Sequence, residues 1–172
     1  MTAISYPWYQ AIISDEISQG DILEDYEIVV DVSGKADDSI AHVNKYNLII
    51  MTQSCDILKK STTHLVLCPL LSFEELEKSW PEIRDSAEKE KLRKGEIIGL
   101  HLLHKSELDE FIRPFRVVYF RRIFEAPKSE LQSYVHEKPR LRLLPPYREH
   151  LAQAFARFFM RVGLPNDIPS FK

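Results

Sequence analysis

Hydrophobic and polar positions alternate unevenly along this chain, and two stretches stand out. The apolar run Leu48-Ile49-Ile50-Met51 ends abruptly in Thr52, Gln53, Ser54, Cys55 and Asp56. A short apolar run bounded by polar residues reads as a strand buried on both faces. A second run, Leu65-Val66-Leu67-Cys68-Pro69-Leu70-Leu71, ends on the hydroxyl of Ser72. Two buried strands that deliver polar groups to their exits predict a barrel or sheet with a functional rim.

The remaining elements are placed around this centre. Gln19–Leu23 opens a first strand and Tyr26–Val32 (YEIVVDV) forms a second, while polar Ser33–Asn44 reads as a loop. Asp56–His64 is an exposed connection. Ser72-Phe73-Glu74-Glu75 has the capping-box pattern, a hydroxyl at the N-cap with Glu three residues on, so a helix begins at Phe73. It breaks near Trp80-Pro81, and a second, highly charged piece runs from Glu82 to Lys94 and stops at Gly95. Glu96–Leu103 and Phe115–Phe124 resume the strand signal, and Arg140–Leu144 is a short strand. Pro145-Pro146 then starts a helix in which Tyr147, Leu151, Phe155, Phe158 and Val162 form a core-facing stripe, ended by Gly163 and Pro165. Gln153, Arg157 and Arg161 share another face of that helix. The sum is one α+β domain over residues 1–172: a small twisted barrel with a charged helical insertion at about 73–94 and a C-terminal amphipathic helix.

Composition narrows the class. The chain has 172 residues, 44% hydrophobic and 28% charged, which suits a soluble globular domain. No apolar stretch approaches the ~20 residues needed to span a bilayer. No basic, cleavable leader pattern is seen at the start, so both thiols, Cys55 and Cys68, are expected to be reduced in a cytoplasm. The formal charge of −3 conceals a polarity: residues 1–110 carry 11 Lys and Arg against 21 Asp and Glu, whereas residues 111–172 carry 12 against 5. The halves either pair internally or present two differently charged faces.

Several groups are candidates for chemistry. Cys55-Asp56 at a strand exit would be catalytic only beside a base or cation, for which His64, His101 and His104 are available by type. Cys55, His64, Cys68 and His101 or His104 have the residue types of a zinc site, but their spacing matches no compact zinc pattern. Gln53 and Ser54 offer hydrogen bonds at the rim, either to a ligand or to the backbone where the strand ends. Arg113, Arg116, Arg157 and Arg161 belong to a basic, aromatic-interleaved C-terminal third that suits single-stranded nucleic acid, an acidic partner or internal pairing. No metal or cofactor is expected.

The order of elements resembles the MazF/PemK family of bacterial toxins. The Gly20-Asp21-Ile22 opening, the buried strand LIIMTQS, the strand LVLCPLLS ending in a hydroxyl, the late strand RVVYFRRIF and the C-terminal helix carry the likeness. It implies a small SH3-like barrel and, in members that cut RNA, an arginine after the first long loop with a Ser or Thr after the second central strand. Ser72 stands at the hydroxyl position. The arginine position falls at Asn44-Lys45-Tyr46, where Lys45 is the nearest cation and cannot give the planar, bidentate grip of a guanidinium. The expectation is a barrel used as a protein-interaction or regulatory module, such as a sequestering inhibitor, in a bacterial stress, toxin–antitoxin or phage-defence system. The alternatives are an endoribonuclease using Ser72 and Lys45, and a thiol or zinc enzyme centred on Cys55. A protein partner is expected, with RNA and homodimerisation as further options and no membrane.

Overall fold

The computed structural model describes residues 6–33 and 40–160. Along the chain lie β1 (Tyr9–Ile12), β2 (Ile22–Ser33), β3 (Ile40–Ile50), α1 (Ser54–Ile57), β4 (His64–Ser72), α2 (Phe73–Ser79), a 3-10 turn (Pro81–Arg84) and α3 (Ser86–Arg93). There follow β5 (Leu100–Leu103), β6 (Ser106–Leu108), β7 (Phe111–Arg113), β8 (Arg116–Tyr119), β9 (Phe124–Pro127), α4 (Lys128–Val135), β10 (Arg140–Leu143) and α5 (Tyr147–Phe159). The architecture is α+β on antiparallel pairing. No helix among the described residues is long and apolar enough to cross a membrane.

The main sheet runs in the order β2-β3-β4-β8-β5, with β9 also paired to β4. Its two central strands are buried on both faces, as their apolar runs predict. Ile49 and Cys68 face each other in the ladder and pack into one core cluster. Their neighbours Ile50 and Leu67, also partners, pack into a second cluster on the opposite face. The first core is closed by α5 and the second by α4, while α2, α3 and β5 enclose a third around Leu76, Ile83 and Leu92.

Several expectations are corrected. The two strands at Gln19–Leu23 and Tyr26–Val32 are one strand, β2, whose register slips between Leu23 and Tyr26, where Asp25 takes a φ of 54°. A bulge absorbs the polar Glu24-Asp25 pair that lies between the two expected strands. The described residues of the expected loop Ser33–Asn44 are strand, since β2 runs to Ser33, β3 already begins at Ile40 and Val43 pairs Val29; residues 34–39 lie outside the described residues. Phe115–Phe124 is split into β8 and β9, both on the same edge of β4. Pro69 of β4 has no N–H to donate, and the break falls opposite it. β1, the β6–β7 hairpin and α4 carry too short a pattern to be read from sequence.

The sheet among the described residues is open, so closure into an SH3-like barrel is not found. β10 joins the start of β2, where Gly20 O accepts from Leu143 N at 2.9 Å and Asp21 bridges Arg142. β1 pairs β10, and a side chain ties it toward the far end of the sheet: the Tyr9 hydroxyl donates to His104 O at 2.7 Å.

The helical insertion keeps its expected start, break and stop, but the piece expected over Glu82–Lys94 is divided at Asp85 into a 3-10 turn and α3. Ser72 Oγ accepts from Glu75 N at 3.1 Å while Glu75 Oε2 accepts from Ser72 N at 2.7 Å, a reciprocal cap. The helix breaks at Trp80-Pro81, and Gly95, with φ of 71°, terminates α3.

The join between β2 and β10 rests on Asp21, whose side chain is fully buried. Its carboxylate accepts from Arg140 Nε at 3.0 Å, from Arg142 Nε at 2.5 Å and Nη2 at 3.0 Å, and from Ser18 N at 3.1 Å. The same guanidiniums hold the 14–16 segment, Arg140 donating to Ser14 O at 2.7 Å and both arginines to Glu16 O. Removing one partner of a buried ion pair leaves the others charged and unpaired, at a cost of ~3–5 kcal/mol. Asp21→Asn is expected to lower the unfolding free energy by about that amount, as read from the urea midpoint at neutral pH. A loss no larger than that of a surface Asp→Asn change would contradict it.

Candidate binding groove

Helix α5 turns Tyr147, Leu151, Phe155 and Phe158 toward the first core. Its outward side borders two contiguous depressions that share Gln153. The first, about 400 Å³, lies between α5 (Arg148, Glu149, Ala152, Gln153) and the exit of β3 (Gln53, Ser54, Cys55), with Gln19 at its base. The second, about 370 Å³, continues past His150, Ala154 and Arg157 to His101 and Leu102 of β5 and to Leu92–Gly95 at the end of α3.

The β3 exit is held rigidly. Thr52 Oγ1 accepts from Val66 N at 2.7 Å, extending the ladder past the last strand residue. Gln53 is the N-cap of α1, and its carbonyl accepts from Asp56 N and Ile57 N. Ser54 Oγ lies 2.7 Å from Ser18 Oγ and accepts from Gln19 N at 3.2 Å, so this hydroxyl ties the loop before β2 to the rim. Gln19 Nε2 donates to Met51 O at 3.0 Å. Of the two rim residues singled out from sequence, Ser54 serves the backbone, whereas the exposed Gln53 amide meets only the Cys55 thiol at 3.7 Å.

The groove is mixed in charge. Arg148 pairs Glu149 at 2.8 Å, Arg93 grips Glu90 through two bonds, and Lys94 lies 3.7 Å from Glu90. Arg157 is exposed and makes no hydrogen bond, ion pair or ring contact among the described residues. His101 lies half-buried beneath the second depression, its ring stacked 6.4 Å from Phe120. Burial first, and His150 second, push its imidazole down to about 4, so it is neutral at pH 7.

The other predicted residues fall elsewhere. Ser72 is spent as the α2 cap, and Lys45 lies 3.6 Å from Glu27 on the β2–β3 ladder. No hydrogen bond or ion pair among the described residues joins Ser72 to Lys45. Arg113 and Arg116 both reach Glu24 Oε1, at 3.3 and 2.8 Å, and Arg116 is buried. They are internal ties rather than a partner surface. Arg161 lies outside the described residues. The zinc candidates are dispersed: Cys68 is in the core, His104 stacks on Trp8, His64 contacts Thr63, and no three His, Cys, Asp or Glu among the described residues form a metal-binding group. Sequence reasoning missed Gln19 and His150. The spacing of Gln153 and Arg157 on one helical face was the visible signal for this side. No family model, curated protein or solved structure matches the chain.

Two measurements check this electrostatic picture. A histidine whose folded pKa is depressed is protonated more readily in the unfolded chain, so its contribution opposes folding as pH falls from 6.5 toward about 4. His101→Gln is expected to remove ~2–3 kcal/mol of the stability lost over that window while leaving neutral-pH stability nearly unchanged; identical pH profiles would refute it. The thiols should also separate cleanly. Cys55 is exposed, whereas burial holds Cys68 up at about 12. A disulfide reagent at pH 8 should titrate one thiol in the native chain and two in denaturant, with the native thiol absent from Cys55→Ser.

Proposed function

We propose that this protein is a non-catalytic binding module that takes an extended polypeptide segment of a partner protein along the α5 groove. One observation carries the reading: the residues proposed for catalysis are engaged in structural contacts, while Gln153 and Arg157 line an open groove with no hydrogen bond or ion pair among the described residues, beside a Gln53 amide that accepts from the Cys55 thiol at 3.7 Å. The groove offers amides, which both donate and accept, and it carries carboxylates beside its cations. Glu149 and Glu90 would repel a phosphate backbone but match the alternating donors, acceptors and mixed charges of a peptide. The resemblance to MazF/PemK toxins supports a regulatory setting, a sequestering inhibitor within a toxin–antitoxin or phage-defence system. In this reading the sheet is an SH3-like wrap left open, its last gap spanned by the Tyr9–His104 bond instead of a ladder.

Crosslinking and RNA cleavage separate this reading from the nuclease. A photoreactive side chain at Gln153 in the native host should capture a protein partner. The same group at Gln132, exposed on α4, should not, and Arg157→Glu should weaken capture tenfold, ~1.4 kcal/mol. A long unstructured RNA should survive incubation with excess protein. Ser72→Ala should change stability only, by ~1 kcal/mol for a lost N-cap. Discrete RNA fragments that disappear in Ser72→Ala, or equal capture at Gln153 and Gln132, would overturn the proposal.

A further inference from the structure

A separate cavity of about 310 Å³ opens between α2, β5 and β8, lined by Leu76, Ser79, Trp80, Ile97, Ile98, Leu100, Tyr119 and Arg121. It shares no residue with the α5 groove. We infer that this cavity binds a small molecule with a flat apolar body and a single carboxylate.

The walls set the body of the ligand. Leu76 and Leu100 are buried and form the floor, with half-buried Trp80, Ile97 and Tyr119 around it. Ile98 is 57% exposed at the rim, an apolar side chain left in water where a ligand would cover it. The volume lies at the lower end of the ~300–1,000 Å³ typical of small-molecule sites, too small for a helix or a folded partner.

The polar groups set its charge. Ser79 Oγ donates to Leu76 O at 3.2 Å and is already engaged. The Trp80 indole N–H, the Tyr119 hydroxyl and the Arg121 guanidinium make no hydrogen bond or ion pair among the described residues. Indole and guanidinium only donate, so the complementary ligand group is an acceptor. Arg121 passes over Gly99: its Nε lies 3.1 Å from where a Cβ on Gly99 would stand, and Gly99, with φ of 94°, leaves that space open. One planar cation above an apolar floor matches one planar anion, bidentate across the guanidinium. A cationic amphiphile is repelled, and a neutral one leaves the guanidinium without a partner.

The chain has two tryptophans, so its indole N–H signals report directly. Trp80→Phe assigns them, and Trp8, stacked on Tyr147 at 3.6 Å, is the internal control. Titration of the whole protein with benzoate, 2-naphthoate and octanoate, alongside the matched amides and amines, should shift the Trp80 signal and spare Trp8. At least one aryl carboxylate should bind tenfold more tightly than its amide, and Arg121→Met should abolish that preference with an unchanged urea midpoint. Absence of any carboxylate-dependent Trp80 shift at millimolar concentration overturns the proposal. So does equal binding of acid and amide, or full retention of the preference in Arg121→Met.

Discussion

The arrangement depends on one buried carboxylate. Asp21 lies beside Gly20, where β10 and β3 both attach: Leu143 N donates to Gly20 O, Gly20 N to Ile50 O, and Ile50 N to Asp21 O. Backbone bonds alone would leave β10, far away in sequence, weakly registered at this point. The Asp21 side chain adds three charge-assisted bonds from Arg140 and Arg142, and those arginines in turn pin the carbonyls of Ser14 and Glu16. Burying such a triad costs solvation and gives modest net stability, but it admits few alternative registers. Its consequences reach the groove. The Ser18–Gln19 turn it fixes is the one that meets Ser54 and Met51, and β10 leads directly into α5.

The same chemistry resolves the charge polarity of the chain. Acidic groups of the first half bind basic groups of the second: Asp21 with Arg140 and Arg142, Glu24 with Arg113 and Arg116, Asp15 with His136. Other cations are engaged too. Arg122 lies over Tyr46 and Phe124, Lys138 over Tyr134, and Lys128 donates to Ile57 O. Among described residues 111–160, Arg121 and Arg157 alone lack a hydrogen bond, ion pair or ring contact, and each borders a cavity. Pairing across the two halves thus engages four arginines, and the two exceptions stay exposed beside cavities.

Local signals in the sequence were legible where a single segment carried the whole reason for its structure. The apolar runs around Ile49 and Leu67, the Ser72 capping box, the Trp80-Pro81 break, the Gly95 stop and the α5 stripe needed no tertiary information. The rest required partners. Glu24-Asp25 separates two strand signals that become one strand only with β3 present to hold the bulge, and Pro69 breaks a strand not its own. The candidate site was half visible: Gln53, Ser54 and Arg157 were named, but nothing local brings Gln19 or Arg148 to them. Ser72, read both as a cap and as a reactive hydroxyl, shows the limit most clearly. One sequence pattern served both readings, and the bond to Glu75 N supports the first.

The two cavities are separated by one strand. β5 contributes to both, Leu100 lining the apolar pocket while His101 and Leu102 line the groove. Across its end, the space that a Cβ on Gly99 would take is bordered by both Arg121 and Phe158 of α5, at 3.1 and 3.3 Å. Interiors packed this closely transmit volume changes, so a substitution within β5 disturbs both surfaces. The arginines differ. Each is exposed and makes no hydrogen bond or ion pair among the described residues, and Arg121 borders only the pocket while Arg157 borders only the groove. They are the handles by which the two surfaces come apart experimentally, because the fold left them free.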